Sequence, residues 1–165
     1  MENNIKEQLL MLLDSLNVSY QAIDHAPIFS MEEGDNVARQ LGVTACKSLL
    51  LRNKKGKYFL LLIKGEKRFN GKDVARQIGS THLTFATEEE MKDLLHCYQG
   101  SVSPLGLYYD ISNKVSLLID KELFQTVYIG CHPCDNTCSL RLRLKDLLEL
   151  FLPAVHHSYV SVEIL

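Results

Sequence analysis

Two short loops of this chain carry groups that suit chemistry better than packing. One covers residues 100–106 (GSVSPLG) and the other residues 131–139 (CHPCDNTCS), and both lie between apolar runs that predict strands. Loops held on a rigid scaffold are where binding and catalytic groups collect. Lys47 stands beside another apolar run, residues 48–51 (SLLL), so the pattern predicts a site built from two loops and one lysine.

The first loop combines two glycines with a proline. Gly100 and Gly106 allow backbone conformations that other residues avoid, and Pro104 stiffens the turn. A rigid turn of this kind can aim several backbone N–H groups at one point, which is the geometry that binds a carbonyl oxygen or its oxyanion. A plain connection between two strands is the alternative. The candidate residues of this loop are Gly100, Ser101, Val102, Ser103 and Pro104.

The second loop allows three interpretations. Cys131 and Cys134 have CxxC spacing, with His132 and Cys138 nearby, but a zinc site needs about four ligands and no second CxxC is present. A thioredoxin-like redox pair should open a helix, whereas residues 135–137 lead into a predicted strand. The third interpretation is a polar site histidine, or a structural one, in a turn shaped by side-chain-to-backbone hydrogen bonds.

Lys47 and the motifs that the chain lacks narrow the chemistry. A lysine beside a buried strand either extends to the surface or points into a cleft, where it suits a phosphate or a polarised carbonyl. The sequence contains no GxGxxG, P-loop, GxSxG or HExxH motif. Ser101 and Ser103 have no obvious base close in sequence. We therefore expect positioned backbone amides to act without a strong protein nucleophile.

The composition is that of an ordinary globular protein. The chain has 165 residues, 46% hydrophobic and 23% charged, which favours one domain over residues 1–165. No apolar run approaches the roughly 20 residues that span a bilayer. Residues 1–4 (MENN) lack signal-peptide character, so we expect a cytoplasmic protein with no membrane association. Five cysteines, an odd number, argue against a disulfide framework.

Charge is unevenly distributed along the chain. The net charge of −2 argues against a protein that coats nucleic acid. Basic residues are nevertheless concentrated over residues 47–76, where only Glu66 and Asp73 oppose them. They are Lys47, Arg52, Lys54, Lys55, Lys57, Lys64, Lys67, Arg68, Lys72 and Arg76. This segment is either the solvated face of a hairpin and a helix or a local docking patch for phosphates.

Helices and strands that could position these groups follow from hydrophobic periodicity. Helices are predicted near 3–16, 31–42, 70–78, 88–96 and 144–152, and strands near 18–24, 49–51, 58–63, 114–119, 125–130, 138–142 and 159–164. Helix ends are marked by capping boxes at Ser30–Glu33 and Thr87–Glu90 and by stops at Gly42, Gly79 and Pro153. The order predicts a mixed α/β or α+β domain with a single curved mixed sheet and flanking helices.

Four segments together resemble a known family. They are residues 25–33 (HAPIFSMEE), 46–49 (CKSL), 100–104 (GSVSP) and 132–140 (HPCDNTCSL). In this order and spacing they resemble the YbaK and prolyl-tRNA-synthetase editing-domain superfamily, most of all its free-standing alanyl-tRNA(Pro) deacylase branch. The resemblance covers almost the whole chain and implies the YbaK-like fold.

The resemblance also implies a reaction. Members hydrolyse the ester between an amino acid and the 3′ end of tRNA, so the 100–104 loop would hold the carbonyl and Lys47 would engage the terminal phosphate or the carbonyl region. A ribose hydroxyl of the tRNA would assist the attacking water, with no cofactor and no metal. The substrate-binding residues would be Ile28, Phe29, Ser48, His132, Asn136 and Thr137.

A small pocket would admit alanine and exclude proline, as the second sieve of an editing system does. The implied partners are tRNA, in particular the acceptor end of mischarged tRNA(Pro), and prolyl-tRNA synthetase. Ser48 stands where many relatives have asparagine, which leaves selectivity open. Two alternatives therefore stand: a deacylase for Cys-tRNA(Pro) or another misacylated tRNA, and a non-catalytic module that binds tRNA or a synthetase.

Overall fold

The structure is a computed structural model, and it describes residues 4–164. Its helices and strands alternate irregularly along the chain. In chain order they are α1 (Asn4–Ser15), β1 (Tyr20–Asp24), α2 (Met31–Leu41), β2 (Cys46–Arg52), β3 (Tyr58–Lys64), α3 (Gly71–Ile78), β4 (Thr84–Phe85), α4 (Glu88–Leu95), a 3₁₀ helix (Pro104–Tyr109), β5 (Val115–Asp120), a second 3₁₀ helix (Lys121–Gln125), β6 (Tyr128–Cys131), β7 (Cys138–Arg143), α5 (Leu144–Asp146), a π turn (Leu147–Phe151), α6 (Leu152–Ala154) and β8 (Tyr159–Val162). The helix predicted over 3–16 is confirmed as α1, and Asn3 lies outside the described residues.

Two sheets organise the molecule. The larger has five strands in the order β4-β2-β3-β5-β8, antiparallel from β4 to β3 and parallel from β3 to β8. The smaller is antiparallel, with the order β1-β7-β6. Within residues 4–164 no helix is both long and apolar enough to cross a membrane.

The mixed α+β class is confirmed, but the prediction of a single curved sheet is wrong, because the strands form two sheets. The two sheets touch through one isolated bridge, between Thr44 and Ile129, and do not continue as one ladder. Gly130 permits this contact, because a Cβ there would lie 2.9 Å from a methyl carbon of Val43. The periodicity of a strand shows its faces and not its partners, so the break between sheets is not visible in the sequence.

The central strands of the larger sheet are buried on both faces, as their continuous apolar runs predict. Leu60 and Leu62 pack into one hydrophobic cluster, and Leu61 and Ile63 pack into another on the opposite face. Each such side chain contributes about 1.5–3 kcal/mol on burial. The result is a rigid hairpin, β2 with β3, from which Lys47 projects.

Most helix ends follow the sequence signals. Gly42 and Gly79 end α2 and α3 in the left-handed conformation, and Thr87 with Glu90 forms a complete capping box. At Ser30 only half of the predicted box forms, because the Glu33 carboxylate accepts from the Ser30 hydroxyl and not from its backbone amide.

Pro153 does not close the last helix, contrary to the prediction. The chain continues as α6 through Ala154 after the wider π turn of Leu147–Phe151. Pro153 therefore lies inside one continuous helical run, directly after the π turn, and this run ends one residue later at Ala154.

Candidate active site

A cleft of about 1050 Å³ lies where the two sheets meet. Residues 46–49 form one wall, because β4 pairs only with Leu51 and Arg52 and leaves the first half of β2 without a strand on that side. Gly130 and Cys131, at the end of β6, form another wall beside the bridge between the sheets. The cleft thus combines a backbone edge with side chains from both sheets.

Seven of the predicted site residues line this cleft. They are Ile28, Phe29, Lys47, Ser48, Gly100, Val102 and His132. The structure therefore brings together the predicted lysine, part of the glycine-rich loop and the loop histidine. Five others do not line it: Ser101, Ser103, Pro104, Asn136 and Thr137.

The glycine-rich loop presents backbone to the cleft. Gly100 has φ of +90°, and within residues 4–164 the amides of Gly100 and Val102 donate to no protein acceptor. Ser101 is buried and its hydroxyl closes the preceding turn through both backbone groups of Tyr98. Ser103 caps the 3₁₀ helix by accepting from the Leu105 amide. The two serines shape the loop, and the two residues with free amides, Gly100 and Val102, line the cleft.

Pro104 begins the 3₁₀ helix that follows the loop, and it is buried. A proline is well suited to a first helical position, because its fixed φ is already helical and no N–H donor is lost there. Pro104 therefore stiffens the exit of the loop without touching the cavity.

Lys47 is held by its strand and not by a carboxylate. It pairs with Ile63 across the hairpin, and its side chain is partly buried at the cleft wall. Among the described residues it makes no ion pair, whereas Lys64 at the end of the same hairpin binds Glu122. The ammonium of Lys47 is therefore available to a negatively charged or polarised group in the cleft.

His132 lines the cleft, and one hydrogen bond fixes which of its ring nitrogens carries the hydrogen. Its Nδ1 lies 2.8 Å from the carbonyl oxygen of Cys138, so the neutral ring carries its hydrogen on Nδ1 and leaves Nε2 as an acceptor. Burial lowers the pKa of His132 below its usual 6.5, which favours this neutral form near pH 7. His25 approaches the ring edge-on at 6.1 Å and bonds to Ser139.

Asn136 and Thr137 lie behind the cleft. The Asn136 carboxamide bonds to both backbone groups of Ile28, and the Thr137 carbonyl accepts from the His25 amide. Thr137 also bonds to Asp135 through its amide and its hydroxyl. Both residues thus contact the segment that carries Ile28 and Phe29, and neither lines the cavity.

The cysteines of the second loop diverge. Cys131 faces the cleft, while Cys134 is buried with its sulfur 3.1 Å from that of Cys97. Burial raises the pKa of Cys131 and of Cys46, which also lines the cleft, to about 12, so both thiols are protonated and weakly nucleophilic. Nowhere in residues 4–164 are three His, Cys, Asp or Glu side chains grouped to hold a metal ion.

Several lining residues escaped sequence reasoning. Phe85, Met31 and Met91 reach the cleft from β4 and from helices α2 and α4. Each looks like an ordinary apolar position, and only the tertiary fold places it at the mouth. Gly130 carried a usable signal, because glycine inside a strand often marks a close backbone approach.

The basic segment is less positive than its sequence indicates. Acidic side chains from outside the segment neutralise part of it, with Glu90 binding Arg52, and Asp120 and Glu122 binding Lys67. The unpaired members in the described chain are Lys47, Lys54, Lys55, Lys57, Arg68 and Lys72. The fold therefore leaves a smaller basic surface than the count of residues suggests.

Comparisons with known proteins identify the family of this chain. The profile of the family described as "Aminoacyl-tRNA editing domain" matches residues 25–150. Prolyl-tRNA editing protein ProX of Acetoanaerobium sticklandii is 29% identical over 165 residues, covering 99% of this chain and 100% of that protein. Prolyl-tRNA synthetase associated domain-containing protein 1 of Danio rerio is 29% identical over 159 residues, covering 95% of this chain and 86% of its own length.

Solved structures show the same fold. The crystal structure of a protein described as a candidate trans-editing enzyme for prolyl tRNA synthetase superposes with a TM-score of 0.72 at 19% identity, covering 96% of each chain. At this identity the likeness concerns the fold alone.

Proposed function

Because the chain belongs to the aminoacyl-tRNA editing domain family and is an aminoacyl-tRNA deacylase, we propose that its substrate is tRNA(Pro) mischarged with alanine. The name of the Acetoanaerobium sticklandii relative supports prolyl-tRNA as the tRNA, and that of the Danio rerio relative supports prolyl-tRNA synthetase as a partner. The resemblance of residues 132–140 to the segment typical of the alanyl-tRNA(Pro) deacylase branch supports alanine as the amino acid.

The observation that carries this proposal is the meeting of three kinds of group on one cavity. Lys47, the two loop residues with free amides, Gly100 and Val102, and His132 all line the cleft. The amides hold the ester carbonyl and stabilise the oxyanion that forms when water attacks. Lys47 binds the terminal phosphate or the carbonyl region, and His132 lines the amino-acid subsite.

The attacking water needs a base, and neither the two cleft thiols nor the two serines of the glycine-rich loop supply one. The two thiols are protonated, and Ser101 and Ser103 are buried away from the cavity. A ribose hydroxyl of the bound tRNA assists the water in this mechanism. The products are the free amino acid and a tRNA with an intact 3′ end.

Hydrolysis of three aminoacyl-tRNAs in parallel tests the function. We expect Ala-tRNA(Pro) to be deacylated at least about tenfold faster than Pro-tRNA(Pro), since small size differences are worth about 10–200-fold in such pockets. Cys-tRNA(Pro) serves as the third substrate. Loss of cysteine alone would move the substrate to that tRNA, and no turnover on any of the three would favour a binding module.

The unpaired basic residues supply a docking surface for tRNA. Arg68, Lys72 and His82 line a shallow second pocket of about 610 Å³ together with Phe69, and the backbone amide of Lys54 donates to the hydroxyl of Thr81, the residue next to His82. We define the outer basic patch as Lys54, Lys55, Arg68, Lys72 and His82.

Two aromatic rings connect this patch to the cleft. Phe69 packs edge-on against Phe85 with ring centroids 5.7 Å apart, and Phe85 lines the cleft with 61% of its surface exposed. An exposed ring is a platform for an unpaired base, and the positive charges suit the phosphates along the same strand. The acceptor end of a tRNA would thus run from the cleft over Phe85 toward the outer basic patch.

Reversing one charge of the patch should weaken tRNA binding. We expect Lys72→Glu to lower the affinity for tRNA(Pro) by about tenfold at low salt. The slope of log Kd against log salt concentration should also become shallower by about the contribution of one phosphate contact. Lys145→Glu is the matched control, since it reverses an exposed helical lysine outside the patch. Equal effects of the two variants, or a flat salt response in the wild type, would contradict docking at this surface.

A further inference from the structure

One asparagine joins two walls of the cleft that have no secondary structure in common. Residues 25–30, here called the rim segment, lie between β1 and α2 and belong to neither. Phe29, on this segment, is 84% exposed, yet it and Ile28 line the cavity. A loosely held segment would not define the width of a pocket. The hydrogen bonds that hold the rim segment in place therefore determine which aminoacyl groups the cleft excludes.

Asn136 holds the rim segment through hydrogen bonds to backbone N–H and C=O groups, as a neighbouring strand would. Its Nδ2 donates to the carbonyl oxygen of Ile28 at 3.0 Å, and its Oδ1 accepts from the Ile28 amide at 3.3 Å. The carboxamide therefore satisfies both backbone groups of Ile28, a rim residue that lines the cleft.

The same carboxamide packs against the glycine-rich loop. A Cβ built on Gly100 would lie 3.0 Å from Nδ2 of Asn136 and 3.4 Å from its Cγ. Asn136 thus fills the space between the rim segment and the loop whose residues Gly100 and Val102 line the cavity. Any change in its position moves one wall relative to the other.

The neighbours of Asn136 fix its direction. Asp135 accepts from the amide and the hydroxyl of Thr137, at 2.8 and 2.6 Å, which locks the turn on either side of Asn136. The base of the rim segment is tied separately, by the bond from the His25 amide to the Thr137 carbonyl at 2.9 Å and by His25 to Ser139 at 2.8 Å. The part of the rim segment that depends on Asn136 is therefore Ile28 and its neighbours toward α2.

We propose that Asn136 is a positioning residue that sets the width of the amino-acid subsite by clamping Ile28 of the rim segment against the Gly100 loop. This inference rests on the proposed function for its substrate. Without the clamp, Ile28 and Phe29 move outward while the base of the segment stays attached. The cleft then accepts larger aminoacyl groups, so discrimination falls while the chemistry of Lys47 and the loop persists.

The test compares two chemically identical substitutions. Asn136→Asp keeps the shape and the acceptor for the Ile28 amide but places an oxygen against the Ile28 carbonyl in place of a donor. Asn113→Asp is the matched control, because Asn113 also donates Nδ2 to a backbone carbonyl, that of His156 at 2.8 Å, on an exposed loop that is absent from the cleft lining. Asn136→Ala removes both bonds and serves as a second variant.

Two readouts are expected to change together. Amide hydrogen exchange followed by NMR should accelerate at least about tenfold at Ile28 in Asn136→Ala, which removes the acceptor of that amide, and the His25 amide should keep its protection. The ratio of kcat/KM for Ala-tRNA(Pro) to that for Pro-tRNA(Pro) should fall by about tenfold or more. Asn113→Asp should change neither quantity.

Each other outcome overturns the proposal. Unchanged exchange at Ile28 shows that no clamp exists, and faster exchange with an unchanged ratio shows that the clamp does not set selectivity. An equal loss of both activities shows a structural role alone. If the wild type hydrolyses neither substrate, the proposed function fails, and the wild-type exchange at Ile28 is the quantity that separates this failure from that of the clamp.

Discussion

Replacing Lys47 with alanine is expected to lower kcat/KM for Ala-tRNA(Pro) hydrolysis by about 100-fold or more, the effect typical of removing one group that stabilises developing charge. Lys47 stands at the open edge of β2, beside the cleft, and pairs with no carboxylate in residues 4–164. Its charge is therefore free for the substrate, and its removal deprives the carbonyl region of the only lysine that lines the cleft in the described chain.

The fold should tolerate this change. The β2–β3 ladder uses backbone atoms, and Lys47 contributes no ion pair within the described chain. We expect the free energy of unfolding by urea to change by less than about 0.5 kcal/mol, the range of surface substitutions. Lys145→Ala, at an exposed helical position, should keep full activity. Hydrolysis within twofold of wild type in the Lys47 variant would falsify the role assigned to this lysine.

Lys47→Arg separates charge from shape. Arginine retains the positive charge but presents a wide planar fork in place of a compact ammonium. If a point charge close to the carbonyl region is needed, this variant stays closer to the alanine variant than to wild type. Measuring kcat and KM separately then shows whether the lysine binds the ground state or acts in the transition state.

Local signals of the sequence predicted most of the scaffold. The β2–β3 hairpin follows from two apolar runs around Asn53–Lys57, and the left-handed ends of α2 and α3 follow from Gly42 and Gly79. These features depend on residues close in the chain, where turn chemistry and capping act. The separation into two sheets depends on long-range pairing, such as β1 with β7, and periodicity says nothing about that.

The charge of the basic segment likewise depends on contacts between residues that are far apart in the sequence. Lys67 lies in a segment that reads as basic, yet its ammonium binds Asp120 and Glu122, each at 2.8 Å. Burial opposes its charge, but these two carboxylates raise the pKa of Lys67 above 10.5. Such partners come from β5 and the 3₁₀ helix after it, so a count of charges along residues 47–76 could not reveal them.

Part of the candidate site could be predicted from the sequence, because some of its residues are of types that are unusual beside apolar strands. Gly100 and His132 stand out from the apolar strands around them, and both line the cleft. Asn136 also stands out, but its partners are the backbone atoms of Ile28, and no pattern of residue types marks a bond to backbone. Phe85 and Met91 carry no signal at all until β4 and α4 pack beside β2.

Replacing Gly100 with alanine should lower kcat/KM by about 100-fold, because displacing a catalytic group by about 1 Å has effects of this size. Two causes combine at this position. Gly100 has φ of +90°, where an L-residue is strained, and the added Cβ would lie 3.0 Å from Nδ2 of Asn136. The loop must therefore shift, and the amides of Gly100 and Val102 move away from the carbonyl oxygen they are proposed to hold.

Gly56→Ala separates these two causes. Gly56 has φ of +79°, so it carries similar backbone strain, but a Cβ there meets nothing within 4 Å and the residue lies in the β2–β3 turn away from the cleft. Both variants should lose about 1–2 kcal/mol of stability from the left-handed backbone, measured by urea unfolding. Only Gly100→Ala should lose deacylation. If the two variants lose activity equally, the loss reflects weakened folding, and the loop amides do not hold the reacting carbonyl.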